Sequence, residues 1–298
     1  MSNSSTPPQQ PALQRIVSRT KDVGGIPVAR GLPVKERRLI GAWCFLDHAG
    51  PAVFQSDAQS MHVAPHPHTG LQTFTWMLEG EILHRDSLGY EQVIRPGQVN
   101  LMTAGRGISH SENAVPGSLT LHAVQLWIAL PAAVKDMPPR FDHYPNLPKW
   151  SRDGVSFTLL TGDFSGYRAP TLSFSELVGV DIANHHQAQL TVPLQQDFEY
   201  GLFVLEGEAL IGQEAFSQNE LAYLSSGNAE LPLTLKENSR ILLLGGEPLG
   251  EEVLMWWNFV GRTKEELRQA VEEWNAADAR FGSVPGSEQS PTPAPKMP

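Results

Sequence analysis

Two short runs hold the residues best able to do chemistry, His66-Pro67-His68 and His110-Ser111-Glu112. On a β-strand, residues i and i+2 point to the same face, so each run presents two donor groups side by side. If adjacent strands carry the runs, His66, His68, His110 and Glu112 converge as three imidazoles and one carboxylate. That donor set suits a single first-row divalent ion such as Fe(II), Mn, Co or Ni, with two positions of a six-coordinate metal left open. A closed tetrahedral zinc site suits it less well. An isolated His-x-His is ordinarily incidental, and the second run is what favours a metal centre.

Converging runs need hairpins between them, and Leu78-Glu79-Gly80-Glu81, Arg95-Pro96-Gly97-Gln98 and Ala104-Gly105-Arg106-Gly107 supply the turn chemistry. Phe74 and Trp76 share the even-numbered parity of His66 and His68. They therefore either line the metal pocket, stacking on an aromatic substrate, or pack in the core. Short β-branched and aromatic segments recur from 53 to 160 and again from 189 to 244, which predicts an all-β sandwich or barrel. Trp76-Met77-Leu78-Glu79-Gly80-Glu81 is echoed by Phe203-Val204-Leu205-Glu206-Gly207-Glu208, so two tandem copies of one barrel are expected. The proline-rich stretch 138–145 places the boundary between an N-terminal metal-binding barrel, 15–140, and a C-terminal barrel, 141–282. One α-helix is predicted over 263–281: Thr263 and Glu266 match a capping box, and Leu267, Ala270, Val271, Trp274, Ala277 and Phe281 form an apolar stripe to lie on a barrel. The Ser-, Pro- and Gln-rich ends, 1–14 and 283–298, read as disordered tails.

The 298 residues carry 22 Lys and Arg against 32 Asp and Glu, a net charge of −10 that opposes direct nucleic-acid or anionic-membrane binding. The N-terminus lacks the apolar core of a signal peptide and no apolar run is long enough to span a bilayer, so a cytoplasmic location is expected. The single cysteine, Cys44, lies in an apolar run and reads as a buried, inert thiol. His62, His84 and His122 sit on or beside predicted strands and read as hydrogen-bonded structural histidines. His185 and His186 are adjacent in sequence and read as a loop pair.

Longer strings carry a resemblance. Arg38-Leu39-Ile40-Gly41, Phe45-Leu46-Asp47-His48, Pro65-His66-Pro67-His68, His84-Arg85-Asp86-Ser87, the run from Met102 to Glu112 and Gln125-Leu126-Trp127 together resemble the pirin family of the cupin superfamily. Gly246-Glu247-Pro248-Leu249 and Trp257-Asn258-Phe259-Val260 extend the likeness into the second half. The resemblance implies a bicupin holding one metal ion per chain, usually iron, in the N-terminal barrel. The ligands carried over are His66, His68, His110 and Glu112, the set that strand parity selects. Two departures stand out: many pirins have Arg where this chain has Thr69, and cupins commonly have Glu where it has Gln72. Gln72 is expected to face the metal pocket as a hydrogen-bonding group or a weak ligand. In the second barrel the positions opposite the ligands are Pro193, Gln195, Pro232 and Thr234, so that barrel is expected to be metal-free.

The activity implied is an Fe(II)-dependent dioxygenase acting with O2 on quercetin-like flavonols or a related aromatic, with Glu112 as ligand and general base. The alternative implied is a non-catalytic, redox-sensitive iron protein acting through protein partners. A monomer is expected.

Overall fold

Along Leu71–Glu79, Phe74 and Trp76 alternate with Thr73 and Thr75, and the segment forms an inner strand of a seven-stranded antiparallel sheet. The structure, a computed structural model, describes residues 13–298, so residues 1–12 of the expected N-terminal tail lie outside the described residues. A four-stranded sheet, in the order His62–His68, Ile108–Ala114, Ile82–Asp86, Glu91–Ile94, closes the first barrel. The second barrel repeats the plan with another seven-stranded sheet and the four strands Ala188–Pro193, Glu230–Leu235, Glu208–Ile211 and Glu214–Ser217. The described residues are thus all-β, two tandem cupin-type barrels with one α-helix near the C-terminus.

Phe74, Trp76, Val124 and Leu126 of the first seven-stranded sheet share one core with Phe203, Leu205, Leu242 and Leu244 of the second. Burying side chains of this size contributes ~1.5–3 kcal/mol each, so this seam binds the barrels into one unit. Phe157, Val180, Ile182, Val192, Leu233 and Leu243 fill the interior of the second barrel.

Three boundaries differ from expectation. Leu13–Val17 pairs with Glu220–Leu224 and so belongs to the second barrel, covering an edge that would otherwise offer unpaired backbone groups. Arg140–Tyr144, expected in the connector, pairs with Val99–Thr103 as an edge strand of the first barrel, where proline-flanked sequence is tolerated. The helix runs only from Lys264 to Asn275, because Ala277 turns into the left-handed region at φ 57°. Thr263 caps it as expected, its hydroxyl accepting the Glu266 N–H.

Residues 283–298 are not the free tail expected from composition. Indole N–H groups of Trp274 and Trp256 donate to the Thr292 and Pro295 carbonyls at 2.8 and 2.9 Å. The Asn275 amide also clasps both backbone groups of Ala294. Side chains directed at backbone hold a segment that has little apolar surface of its own. The helix stripe, Leu267, Ala270, Val271 and Trp274, packs with Phe259, Phe281 and Ala294. This C-terminal assembly reaches back to the first barrel: Ser109 Oγ donates to the Phe281 carbonyl, and the Thr292 N–H to the Pro65 carbonyl. At Gly70, φ is 69° and a Cβ would stand 2.2 Å from the Val260 carbonyl oxygen, so only glycine admits this approach.

Candidate metal centre

Both histidine runs lie on paired strands. His110 stands opposite His66 across the pairing of Ile108–Ala114 with His62–His68. On its other side the same strand pairs with Ile82–Asp86, with Glu112 opposite His84 and His110 opposite Asp86. Ligand-capable atoms of His66, His68 and His110 all lie within 4.8 Å of one another, and Nε2 of His68 is 3.1 Å from Nε2 of His110. His84, His110 and Glu112 form an adjoining triple within the same distance. Among the described residues these are the two such groups, and both belong to the first barrel.

Each ring is oriented from behind. His66 Nδ1–H donates to the Ala64 carbonyl at 2.9 Å, and His68 Nδ1–H to the Asn258 carbonyl at 3.2 Å. A carbonyl only accepts, so both rings keep the proton on Nδ1 and leave an Nε2 lone pair. Burial holds His66 down to about 4 and keeps His68 and His110 well below the usual imidazole range, so all three are neutral donors near pH 7. Burial pushes the Glu112 carboxyl upward. The Thr75 hydroxyl donates to Gln125 Oε1 at 2.8 Å and stands 3.5 Å from Glu112 Oε1. Three neutral imidazoles, two of them backed by fixed carbonyls, with one carboxylate alongside, fit a single divalent metal ion.

His66, His68, His110 and Glu112 line a cavity of about 560 Å³. Its walls include Thr73, Thr75, Gln125, Trp127 and Phe45, and Trp257, Asn258 and Thr292 come to it from the C-terminal assembly. Trp127 stacks on Phe45 at 3.9 Å and meets His68 edge-on at 5.0 Å. Arg30 lies over the other ring of the pair, Phe45, and is held by both oxygens of Asp47 at 2.7 Å.

Gln72, expected to face the pocket, and Phe74 and Trp76, candidates for the pocket or the core, all lie outside the cavity. All three are buried on the opposite face of their strand, towards the second barrel. Gln72 donates to Thr103 Oγ1 and approaches the Leu172 carbonyl, and Trp76 donates to Asp181. The even-numbered parity of His66 and His68 does not carry across the turn at Thr69 and Gly70, where the chain passes from one sheet to the other. Thr73 and Thr75 take the pocket face instead, and small polar residues alternating with large aromatics were the signal for it.

The readings of the cysteine and of the other histidines agree with the structure. Cys44 is buried, and desolvation pushes its thiol up to about 12. His84 bonds Asp86, His122 bonds His48, and His185 and His186 are exposed outside strands. No helix among the described residues is long and apolar enough to cross a membrane.

Comparison with known proteins agrees with this geometry. The pirin family model matches residues 25–128, and that of the pirin C-terminal cupin domain matches residues 179–282. A Pseudomonas aeruginosa protein provisionally named a quercetin 2,3-dioxygenase is 53% identical over 287 residues, covering 96% of this chain and 91% of that protein. A pirin-like protein of Caulobacter vibrioides is 34% identical over 93% of this chain and 97% of its own length. A crystal structure of a quercetin 2,3-dioxygenase from Acinetobacter baumannii superposes with a TM-score of 0.94 at 44% identity, covering 96% of each chain. With both halves matched and close relatives spanning nearly its whole length, the chain belongs to the pirin family.

Proposed function

We propose that this protein is a dioxygenase of quercetin-like flavonols that uses one Fe(II) ion held by His66, His68, His110 and Glu112. The observation that carries the reading is the convergence of three neutral imidazoles and a carboxylate on a cavity walled by a stacked Trp127–Phe45 pair. The names of the Pseudomonas and Acinetobacter relatives support the substrate class. A cavity of about 560 Å³ falls within the ~300–1,000 Å³ that suits a drug-sized ligand.

Held by His66, His68, His110 and Glu112, a divalent metal would supply Lewis-acid chemistry, lowering the pKa of a substrate hydroxyl. The residues of the chain do the rest. Trp127, stacked on Phe45 with Arg30 over that ring, gives the cavity an aromatic wall that orients a flat substrate. Glu112, with its carboxyl raised by burial, accepts the proton of the substrate hydroxyl at Oε1 or Oε2. Thr75 and Gln125, hydrogen-bonded to each other, flank that carboxylate.

The test is anaerobic reconstitution with Fe(II), followed by metal analysis and O2 uptake with quercetin. We expect one metal per chain, and turnover per bound metal reduced ~100-fold or more in Glu112→Gln, since an amide cannot take the proton. Equal turnover per metal in the two proteins would remove Glu112 as the base. A fully loaded protein that consumes no O2 with several flavonols would overturn the dioxygenase reading in favour of an iron-dependent regulator.

A further inference from the structure

His66 and His68 each have a backbone carbonyl behind Nδ1, but His110 does not. The atom facing its Nδ1, at 3.4 Å, is Nδ1 of His84. An imidazole nitrogen either donates or accepts, so this contact works in only one of two senses, and something must choose between them. His84 Nε2 lies 3.0 Å from Asp86 Oδ2, and all three side chains are buried. A carboxylate only accepts, so the His84 proton sits on Nε2 and its Nδ1 is left as an acceptor. His110 must then place its proton on Nδ1, which frees Nε2, the atom that faces His68. Phe141 stacks on the His84 ring at 4.3 Å and holds its plane. The other oxygen of Asp86 accepts the Leu88 and Tyr90 N–H groups, which fixes the carboxylate in turn.

We infer that Asp86 and His84 are positioning residues that set the tautomer of His110 and thereby its capacity to bind metal through Nε2. The strand register makes the relay possible, because residues 84 and 86 lie on the same face as, and directly across from, 112 and 110. The adjoining triple of His84, His110 and Glu112 is then a hydrogen-bonded support and not a second ion site. His84 is absent from the cavity wall, which accords with that role. The inference rests on the reading of His110 as a metal ligand.

Asp86→Asn tests the direction of the relay. The Leu88 and Tyr90 N–H groups keep the amide oxygen, so the amide N–H₂ turns to His84 Nε2 and donates. The His84 proton moves to Nδ1, and His110 is driven to carry its own on Nε2. Titration of the metal-free full-length protein with Co(II) should show ~10–100-fold weaker binding in Asp86→Asn and in His84→Phe. His84→Gln should stay close to wild type, since its amide can donate to Asp86 and accept from His110 in the same sense. Imidazole ¹⁵N spectra of the metal-free wild type read the same point without a variant: His84 protonated on Nε2 and His110 on Nδ1. The opposite tautomers, wild-type Co(II) affinity in folded Asp86→Asn, or two Co(II) per chain would overturn the relay. Failure of the wild type itself to bind Co(II) would overturn the ligand assignment instead, while the ¹⁵N spectra still decide the tautomers.

Discussion

Gln72 and Trp127 divide the roles that sequence parity would have assigned differently. Gln72 is fully buried between Thr103 and the Leu172 carbonyl, away from the cavity. Gln72→Glu should therefore cost ~1–3 kcal/mol in chemical denaturation by placing a carboxyl beside a carbonyl, and leave metal affinity unchanged. Trp127 is the aromatic beside the donors, so Trp127→Leu should raise KM for quercetin roughly 2- to 10-fold, the worth of one stacking face, while metal content stays near one. The donor pairs were legible because i and i+2 on one strand share a face whatever the fold around them. The pocket walls were not, because a parity count holds only within a strand and restarts at the turn through Gly70.

The hairpin Leu254–Trp256 with Phe259–Gly261, the helix Lys264–Asn275 and the segment beyond it act together. The amphipathic stripe and the N-cap could be read from sequence, since both are local. The docking of 283–298 could not, because its partners Trp256, Trp274 and Asn275 are distant side chains that bond to backbone and leave no pattern in the segment itself. Trp274→Ala should cost ~3–5 kcal/mol, combining a lost aromatic with a lost hold on Thr292. Removing residues 283–298 should alter flavonol KM, because Thr292 lines the cavity, and should lower the melting temperature as well. Unchanged kinetics in the truncated protein would mean that this wall plays no part in substrate binding.

A polar chain crosses between the barrels, from buried His48 and His122 of the first to half-buried Asn219 and Glu206 of the second. His48 bonds Asn219 at 2.7 Å and His122 at 2.8 Å, and His122 reaches Glu206 at 3.2 Å. Burial, reinforced by His48 and Arg240, holds His122 down to about 3 despite the Glu206 contact, and burial lowers His48 too. The unfolded chain takes up these protons below about pH 6.5, whereas the folded chain takes both up at lower pH, at His122 only near 3. Stability should thus fall as pH drops from 6.5 towards 3, and denaturation midpoints should depend less steeply on pH in His122→Gln. Two barrels in tandem were foreseeable from the repeated Leu-Glu-Gly-Glu strings; the exchange of Leu13–Val17 onto the second barrel was not, because strand pairing over such a distance has no local signature. The order of synthesis gives this architecture one further meaning. The carbonyl that holds His68 belongs to Asn258, yet the last strand of the first barrel ends at Tyr144. A nascent chain on the ribosome therefore displays the histidines long before their geometry is set. His68 takes its final ring orientation, and with it any part in choosing among competing ions, only once the chain through Asn258 has emerged and docked.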